Sequence, residues 1–344
     1  MLNDRIGVCV VGGGFWAREM HLPAFRSIPG VDVVSLVSRN EAATAALAEL
    51  FGVKRWSTDY IEAVTASDID VVDILAPNHL HAPIAIAAAE AGKHVICIKP
   101  LATSLAEADR MLAAAAQNNV RLLYAENVPF IPAVQEMRQV VDSGAIGTVF
   151  RVKACEGIGE PHSAWHYEPG KVGGGAMMDM AVHSVEFCRT FAAAPFASVY
   201  ADAGTFRWGA KTKAEDTAVM TLRFENGVIG QCEDSWSLAG AMDSRFEVFG
   251  TEGRILIDNL HRQPIQVVSG GGQSAVPPGW SFPSPMPGAV MDGHVAMLTH
   301  FIDAIRSGEP SPSEGVVGWN ALAVIEAAAA SVKSGRRETV RTRN

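Results

Sequence analysis

The chain has 344 residues and a formal net charge of −9, with 48% of its residues hydrophobic and 19% charged. This length predicts two domains of ordinary size. No run of Lys or Arg forms a basic patch, which argues against a nucleic-acid partner. No apolar run reaches the roughly 20 residues that a membrane span needs. The first residues lead almost directly into an apolar strand, so we expect no signal peptide.

The five cysteines indicate the cellular compartment. No pair forms a CxxC motif or lies at metal-ligand spacing, so we expect no metal site. Reduced, mostly buried thiols in a cytoplasmic protein fit this pattern. The cysteines are Cys9, Cys97, Cys155, Cys188 and Cys232.

The first third of the chain alternates short apolar runs with amphipathic stretches, which is typical of βαβ units. Strands are predicted at Ile6–Val11, Val31–Val37, Lys54–Trp56, Asp70–Leu75, His94–Ile98 and Arg121–Tyr124. Helices are predicted between them at Phe15–Ser27, Glu41–Phe51, Tyr60–Ala66, Ala82–Ala91 and Leu105–Asn118. Right-handed crossovers then give a doubly wound parallel sheet, and we predict an α/β Rossmann domain over residues 1–126.

The pattern changes after this point and predicts a second domain over residues 127–344. Long strands are expected between Val149 and Val268, and Glu225-Asn226-Gly227 is a strong hairpin signal. The prediction is an α+β domain with a large, mainly antiparallel open sheet. Its predicted helices are Ile131–Val141, Ala176–Phe191, His294–Ile305 and Trp319–Ser331. Gln263–Pro287 is predicted to be a long loop, and the polar last residues are expected to fray.

The segment after the first strand carries a dinucleotide fingerprint. Gly12, Gly14 and Ala17 occupy the three small positions of G-x-G-x-x-G/A, between a buried strand and a helix. Gly12 permits the tight turn, and Gly14 lets the backbone approach a pyrophosphate. The start of the helix, with Phe15 and Trp16, then offers N–H groups to the phosphates. We therefore expect a nicotinamide dinucleotide here.

The end of the second strand bears on the choice of dinucleotide. An acidic residue at this place would bind the ribose hydroxyls of NAD, but the sequence has Ser38-Arg39, and the nearest acid is Glu41. A guanidinium group pairs well with a phosphate. The sequence therefore leaves NAD and NADP open and favours NADP.

Two further segments carry side chains that can do chemistry. Lys99 ends the fifth strand and is followed by Pro100, so it is placed at the carboxyl edge of the sheet. Asp179 and His183 lie four residues apart, on one face of the predicted helix that follows Gly173-Gly174-Gly175. Their neighbours are apolar, and burying such groups is costly unless they are used or paired.

Together these segments resemble the glucose–fructose oxidoreductase/inositol dehydrogenase/MocA family over nearly the whole chain. The matching motifs are Gly12-Gly13-Gly14 with His21-Leu22-Pro23-Ala24, Pro77-Asn78-His79-Leu80-His81, Ile98-Lys99-Pro100, Gly173–Gly175 through Asp179 and His183, and Thr299-His300-Phe301 followed by Gly308. The resemblance implies an NAD(P)-dependent dehydrogenase that oxidises a hydroxyl of a sugar, a sugar derivative or a cyclitol. It also implies a homodimer or homotetramer.

The resemblance assigns roles to individual residues. His183 would be the general base, because the ordinary pKa of histidine, about 6.5, suits that task. Lys99 would donate a hydrogen bond to the same substrate oxygen, and Asp179 would bind substrate hydroxyls and hold the arrangement. The remaining expected cofactor contacts are Ala76, Pro77, Asn78, His81, Pro100 and Asn127.

One position departs from the family pattern, and one segment adds to the expected pocket. Ile98 stands where the family usually has Glu, so an acidic partner beside Lys99 is missing. The segment Trp165-His166-Tyr167 precedes the glycine run and is expected to line the substrate pocket.

Two other functions fit the same sequence. An NAD-dependent glycosidase of this family would retain its cofactor and oxidise the sugar only transiently. A non-catalytic dinucleotide-binding protein would have no use for Lys99, Asp179 and His183 together. We expect a dehydrogenase, but the sequence barely separates it from the glycosidase.

Overall fold

The computed structural model describes residues 5–240, 242–260, 265–269, 279–281 and 289–343. The chain forms two compact units, the first made of Met1–Glu126 with His294–Trp319 and the second of Asn127–Gly293 with Asn320–Asn344. The prediction that all residues after 126 belong to the second domain is therefore wrong for His294–Trp319, which packs within the first unit.

The first unit contains a six-stranded sheet in the order β3-β2-β1-β4-β5-β6, with every pair parallel. This is the order of a Rossmann fold, and it confirms the predicted fold class. All six residues of β1 are buried, as expected for a parallel strand covered on both faces. The strands are β1 Ile6–Val11, β2 Val31–Val37, β3 Arg55–Ser57, β4 Val71–Ile74, β5 His94–Ile98 and β6 Leu122–Ala125.

Helices connect these strands, and local capping explains where several of them begin. Asn40 accepts a hydrogen bond from the N–H of Ala43 (3.0 Å) at the start of α2, and Ser104 accepts one from Glu107 at the start of α5. The helices are α1 Leu22–Ser27, α2 Glu41–Phe51, α3 Tyr60–Thr65, α4 His81–Glu90 and α5 Leu105–Gln117. A π-helical turn, Ala17–His21, precedes α1.

The second unit contains a nine-stranded sheet in the order β14-β13-β12-β11-β7-β10-β9-β8-β15. Only β7 and β10 pair in parallel, so the predicted mainly antiparallel sheet is confirmed for the described strands. The strands are β7 Val149–Ile158, β8 Phe196–Gly204, β9 Thr217–Phe224, β10 Ile229–Ser235, β11 Met242–Gly250, β12 Gly253–Asp258, β13 Ile265–Ser269, β14 Gly279–Ser281 and β15 Glu338–Thr339. The helices before β8 are α6 Pro132–Asp142, α7 Pro169–Val172 and α8 Val182–Ala192.

Two predictions about irregular segments are wrong. The predicted loop Gln263–Pro287 contains β13 and β14, because the apolar residues Ile265 and Val267 alternate with polar or half-buried ones and pair with β12. The rest of that loop prediction, residues 263–264, 270–278 and 282–287, lies outside the described residues. The tail is not frayed either, since β15 pairs with β8 and the side-chain oxygen of Asn320 accepts the N–H of Arg343 (2.8 Å).

The two C-terminal helices are α9 Ala289–Ser307 and α10 Gly315–Ser334. Contrary to the sequence-based expectation, α10 is long and apolar enough to cross a membrane by length and composition alone. However, 61% of its most apolar window is buried inside the protein. This burial is typical of a core helix, whose apolar residues are covered by other parts of the fold.

The packing of His294–Trp319 within the first unit depends on a half-buried arginine. Arg121 donates hydrogen bonds from its guanidinium to the carbonyls of Ala304 (2.6 Å) and Glu309 (2.6 Å) and pairs with the carboxylate of Glu314. The indole N–H of Trp319 also donates to Asp109 (2.9 Å). These bonds hold the segment His294–Trp319 against α5 and against the residue that precedes β6.

Replacing Arg121 with methionine should therefore destabilise the protein by roughly 2–4 kcal/mol, since hydrogen bonds to a charged group are lost and their acceptors remain. Urea unfolding measures this change. Arg5→Met is the matched control, because the Arg5–Asp32 pair is exposed and should contribute at most about 1 kcal/mol. Equal losses in the two variants would contradict the assigned role of Arg121.

Candidate active site

The glycine turn of the first unit has the geometry that a dinucleotide site requires. Gly12 has φ of +125°, and a β-carbon there would lie 2.5 Å from the carbonyl of Leu75, so only glycine fits. A β-carbon at Gly14 would meet nothing within 4 Å. The turn therefore closes tightly at Gly12 and leaves free space at Gly14, where a pyrophosphate can approach.

The helical residues after the turn differ in how accessible they are. Ala17 is fully buried, which lets the helix pack closely on the sheet. Phe15 is 46% exposed, and its ring meets the ring of Trp16 edge-on at 5.3 Å between centroids. Trp16 also lies 5.6 Å from the ring of His294. Of these side chains, Phe15 is therefore the most accessible to a ligand.

The end of β2 leaves a cation available. Ser38 is half-buried beside Gly13, where a β-carbon would lie 3.2 Å from the β-carbon of Ser38. Arg39 is exposed and makes no hydrogen bond or ion pair with another described residue. Asn40 is engaged in capping α2, and Glu41 is exposed in the first turn of that helix.

His81 links the loops after β4 and β5. Its ring is fully buried, with Nδ1 2.8 Å from the carbonyl oxygen of Pro100 and Nε2 2.8 Å from that of Ala76. Burial lowers the pKa of His81, although the two carbonyls oppose this shift. The ring of His81 is therefore enclosed and holds the two loops together, and its contact with the cofactor stays a prediction.

The other predicted residues on these loops lie around that link. Lys99 is partly exposed and is joined to the buried Pro100 by a cis peptide bond. Asn78 is buried and begins the short 3-10 helix Asn78–Leu80, with the half-buried Pro77 before it. Asn127, which follows β6, is half-buried and belongs to the second unit.

In the second unit, Asp179 and His183 lie on consecutive helical segments. Asp179 belongs to a π-helical turn, Met177–Ala181, that runs directly into α8. The predicted helix Ala176–Phe191 therefore has about the right bounds, but its first part is π-helical. Such turns occur frequently at functional sites. Asp179 is 6% exposed, whereas His183 is partly accessible to solvent.

The carboxylate of Asp179 is held in place by Trp236. The indole N–H of Trp236 donates to Oδ2 of Asp179 at 2.8 Å, and both side chains are buried. Nε2 of His166 lies 3.9 Å from the other carboxylate oxygen, while Nδ1 of His166 lies 3.0 Å from the carbonyl oxygen of Ser163. The ring of Trp165 stacks on His166 at 3.8 Å. The structure thus places His166 beside Asp179 and stacks Trp165 on His166, while their contact with a substrate stays a prediction.

Two adjacent acids, Glu215 and Asp216, organise this region through backbone N–H groups. Oε1 of Glu215 accepts hydrogen bonds from the N–H groups of Gly175 (3.1 Å) and Met177 (3.0 Å), at the start of the segment that carries Asp179. A β-carbon at Gly175 would lie 2.1 Å from the carbonyl oxygen of Glu215, which explains that glycine. Burial raises the pKa of Glu215 above its ordinary value.

Asp216 holds the loop after β8. Its carboxylate accepts the N–H groups of Phe206 (3.0 Å), Arg207 (2.8 Å) and Trp208 (2.8 Å). Burial acts to raise the pKa of Asp216, but these donors outweigh burial and keep it below its ordinary value. The carbonyl of Asp216 also accepts the N–H of Trp236 at 2.7 Å. One residue therefore positions both the loop and the tryptophan that holds Asp179.

Tyr167 completes the aromatic surroundings. Its ring lies 5.4 Å from that of Trp208 and 6.5 Å from that of Trp236, and its hydroxyl donates to Glu160 (3.1 Å). The ammonium of Lys211 lies 4.6 Å from the centre of the Tyr167 ring. Tyr167 is therefore part of an aromatic cluster that joins Trp236, beside Asp179, to this lysine.

The residues that hold this site were not predicted from the sequence. Trp236 lies directly after β10, and Glu215-Asp216 lies directly before β9, so all three are in connecting segments, where binding residues concentrate. That placement was the available signal. Within the described residues, no group of three or more His, Cys, Asp or Glu side chains has the arrangement of a metal site.

Comparison with known proteins identifies the family. Residues 6–126 match the model described as the oxidoreductase family with an NAD-binding Rossmann fold, and residues 134–256 match the GFO/IDH/MocA C-terminal domain. The chain belongs to the Gfo/Idh/MocA family. As a Gfo/Idh/MocA protein it is an NAD-binding oxidoreductase, and the family predicted from its motifs is confirmed.

Individual relatives cover most of this Gfo/Idh/MocA chain. It is 33% identical to levoglucosan dehydrogenase of Pseudarthrobacter phenanthrenivorans, over 79% of this chain and 78% of the relative. It is 28% identical to myo-inositol 2-dehydrogenase of Thermotoga maritima, over 96% and 97% of the two chains. A solved structure of levoglucosan dehydrogenase in complex with NADH superposes with a TM-score of 0.90, 27% identity and coverage of 98% and 100%.

The Glu215 cap gives a prediction about stability. Glu215→Gln keeps an acceptor for both N–H groups, whereas Glu215→Ala leaves them without one and should cost roughly 2 kcal/mol in the free energy of unfolding. Because the pKa of Glu215 is raised from its ordinary value of 4.5, the folded protein holds this proton more tightly than the unfolded chain does. The stabilisation is complete below the unfolded pKa and is lost as pH rises through the folded pKa.

Urea unfolding between pH 4 and pH 7 tests this linkage. Glu215→Gln has no such titration, so its stability relative to the wild type should improve as pH rises. A difference that stays constant with pH would show that the protonation of Glu215 is not linked to folding.

Proposed function

We propose that this oxidoreductase oxidises a hydroxyl-bearing carbon of a sugar, a sugar derivative or a cyclitol, with NAD(P) as the hydride acceptor. The observation that carries the proposal is the buried carboxylate of Asp179, held by Trp236 and followed four residues later by His183. A buried acid is costly unless it is used or paired, and a polyol hydroxyl is a suitable ligand for it. The relatives named for levoglucosan and myo-inositol dehydrogenation support the same substrate class.

Each catalytic side chain has one role in the proposed mechanism. His183 accepts the hydroxyl proton as general base, and Lys99 donates a hydrogen bond to the same oxygen and stabilises its alkoxide character. Asp179 orients the substrate by accepting a hydrogen bond from a neighbouring hydroxyl. Trp165, His166 and Tyr167 bind the remainder of the substrate, since aromatic rings cover the apolar face of a sugar.

The residues of the first unit fit a dinucleotide. The free space at Gly14 and the tight turn at Gly12 accommodate the pyrophosphate, and we assign the exposed Phe15 to the same ligand with Trp16 behind it. When bound, the nicotinamide supplies the hydride acceptor. The residues proposed to contact the rest of the cofactor are Ser38, Arg39, Ala76, Pro77, Asn78, Lys99, Pro100 and Asn127.

We also propose a preference for NADP over NAD, and Arg39 carries this part of the proposal. Its guanidinium is exposed and makes no bond with another described residue, so it is available to a 2′-phosphate. Ser38 adds a hydroxyl donor beside it. An acid that could bind the ribose of NAD is missing at Ser38 and Arg39, and the nearest acid, Glu41, lies in the first turn of α2.

Arg39→Ala should lower kcat/KM for NADP by about tenfold or more and leave the value for NAD within about twofold, because a charge-assisted phosphate contact is removed. Steady-state kinetics with both cofactors measures this. Arg26→Ala is the control, since Arg26 is also exposed in the first unit but lies on α1. Equal losses with both cofactors would contradict the assignment.

The catalytic assignment predicts a loss of turnover without unfolding. His183→Asn and Lys99→Met should each lower kcat by about 100-fold or more, the usual contribution of a positioned proton-transfer group. If both groups act on one oxygen, the double variant should lose much less than the product of the two losses. Absorbance of reduced nicotinamide with a panel of polyols and sugars is the assay, and near-wild-type rates in both variants would exclude these roles.

The NAD-dependent glycosidase remains the second candidate from the sequence. It would release sugar from a glycoside without net formation of reduced cofactor, so the same assay separates it from the dehydrogenase. A binding protein without activity would turn over no substrate of either panel.

We propose a homodimer or homotetramer acting in the cytoplasm on a small-molecule sugar or polyol, without nucleic acid or membrane as a partner. The open sheet of the second unit supports self-association, because β9 buries alternate residues and leaves Val219 exposed, as is Tyr200 on the neighbouring β8.

A further inference from the structure

A cavity of about 450 Å³ lies beside Tyr167 in the second unit. Its walls come from residues 167–171 and 209–213, which are the segment around α7 and the loop that Asp216 holds. The volume falls in the range of small-molecule sites. Apart from Tyr167, none of these lining residues has a role in the proposed chemistry, so we call it the lysine cavity and ask what it binds.

The lysine cavity is positively charged although the whole protein is acidic. Its lining contains Lys171, Lys211 and Lys213 against a single acid, Glu168, whereas the chain carries a net charge of −9. Lys171 pairs with Glu168 (2.7 Å) and Lys211 with Glu160 (2.9 Å). Lys213 is exposed and makes no hydrogen bond or ion pair with another described residue. A cation therefore remains available at the wall of the cavity.

The wall that carries these cations is built by specific contacts. The ammonium of Lys211 lies over the rings of both Tyr167 (4.6 Å) and Trp208 (4.3 Å), and the guanidinium of Arg207 lies 5.0 Å from the centre of the Trp208 ring. Cations over aromatic faces are held electrostatically. Since Asp216 also fixes the backbone at Arg207 and Trp208, the guanidinium of Arg207 and the ammonium of Lys211 are placed before any ligand arrives.

The same wall is connected to the proposed substrate carboxylate. The indole N–H of Trp208 donates to the carbonyl of Trp236 (2.9 Å), and the indole N–H of Trp236 donates to Asp179 (2.8 Å). Tyr167 contacts both tryptophan rings and lines the cavity. A chain of contacts through Trp236, Trp208 and Tyr167 therefore joins Asp179 to the wall that carries the lysines.

We infer that the lysine cavity binds an anionic group, a carboxylate or a phosphate, on the part of the substrate remote from the oxidised carbon. Lys213 supplies the free cation, and Tyr167 and Trp208 form the shelf beneath the sugar ring. This inference rests on the proposed function and narrows its substrate class to acidic sugars or cyclitols.

Matched neutral and acidic probes test the inference. D-glucuronate and D-glucose differ in charge at one carbon, and isothermal calorimetry on the whole protein with NAD(P) present measures their affinities without requiring turnover. Lys213→Met should weaken D-glucuronate binding about five- to tenfold and leave D-glucose within about twofold, and D-glucose 6-phosphate should follow the acidic probe. Lys333→Met, which removes an exposed lysine elsewhere in the second unit, is the matched control.

Added salt should weaken binding of D-glucuronate and D-glucose 6-phosphate but not of D-glucose. Equal changes for neutral and acidic probes, no preference for an acidic probe in the wild type, or the same loss in Lys333→Met would overturn the inference. If only one acidic probe depends on Lys213, the result identifies carboxylate or phosphate as the ligand. Failure of the proposed dehydrogenase shows in the Lys99 and His183 variants instead, so the two outcomes are separate.

Discussion

A carboxylate that is removed from water must be met by hydrogen-bond donors, and the second unit of this protein is organised by that requirement. Glu215 receives two N–H groups at the start of the segment that carries Asp179, and Asp216 receives three from the loop after β8. Asp179 receives the indole N–H of Trp236, whose own backbone N–H is bound by Asp216. Satisfying two buried acids, Asp179 and Asp216, and the half-buried Glu215 thus fixes the helix, the loop and the tryptophan of the candidate site at once.

The first unit is organised by a different requirement, which is that the backbone of the glycine turn must come close to a ligand. Gly12 leaves no room for a side chain against Leu75, while Gly14 leaves its surroundings free. His81 adds a fixed distance between the loops after β4 and β5, because its two ring nitrogens meet a carbonyl from each loop. Close packing beneath the ligand and open space above it are both needed for a preorganised cofactor site.

Local signals in the sequence predicted the features that depend on nearby residues. Buried strands such as β1 are continuous apolar runs, the spacing of Asp179 and His183 is a helical repeat, and the glycine turn lies within six residues. The Trp236–Asp179 bond joins residues 57 positions apart, and Arg121 binds carbonyls more than 180 residues away. No periodicity encodes such pairs, which is why Trp236, Glu215 and the return of His294–Trp319 were missed. The strand β13 was missed because the surrounding Gly, Pro and Ser residues outweighed a short apolar run.

The donors that surround Glu215 and Asp216 show what an acid at position 98, where this chain has Ile98, would require. Ile98 is buried at the end of β5, where a carboxylate would need donors of the kind that Glu215 and Asp216 have, whereas an aliphatic side chain needs none. Because position 98 carries no acid, the proposed mechanism uses Asp179 as its acidic side chain. The placement of that carboxylate depends on Trp236, and Trp236 is held by the same residue, Asp216, that fixes the wall of the lysine cavity. A change in the loop after β8 should therefore reach the carboxylate of Asp179 through three hydrogen bonds, which would couple substrate choice to the proposed catalysis.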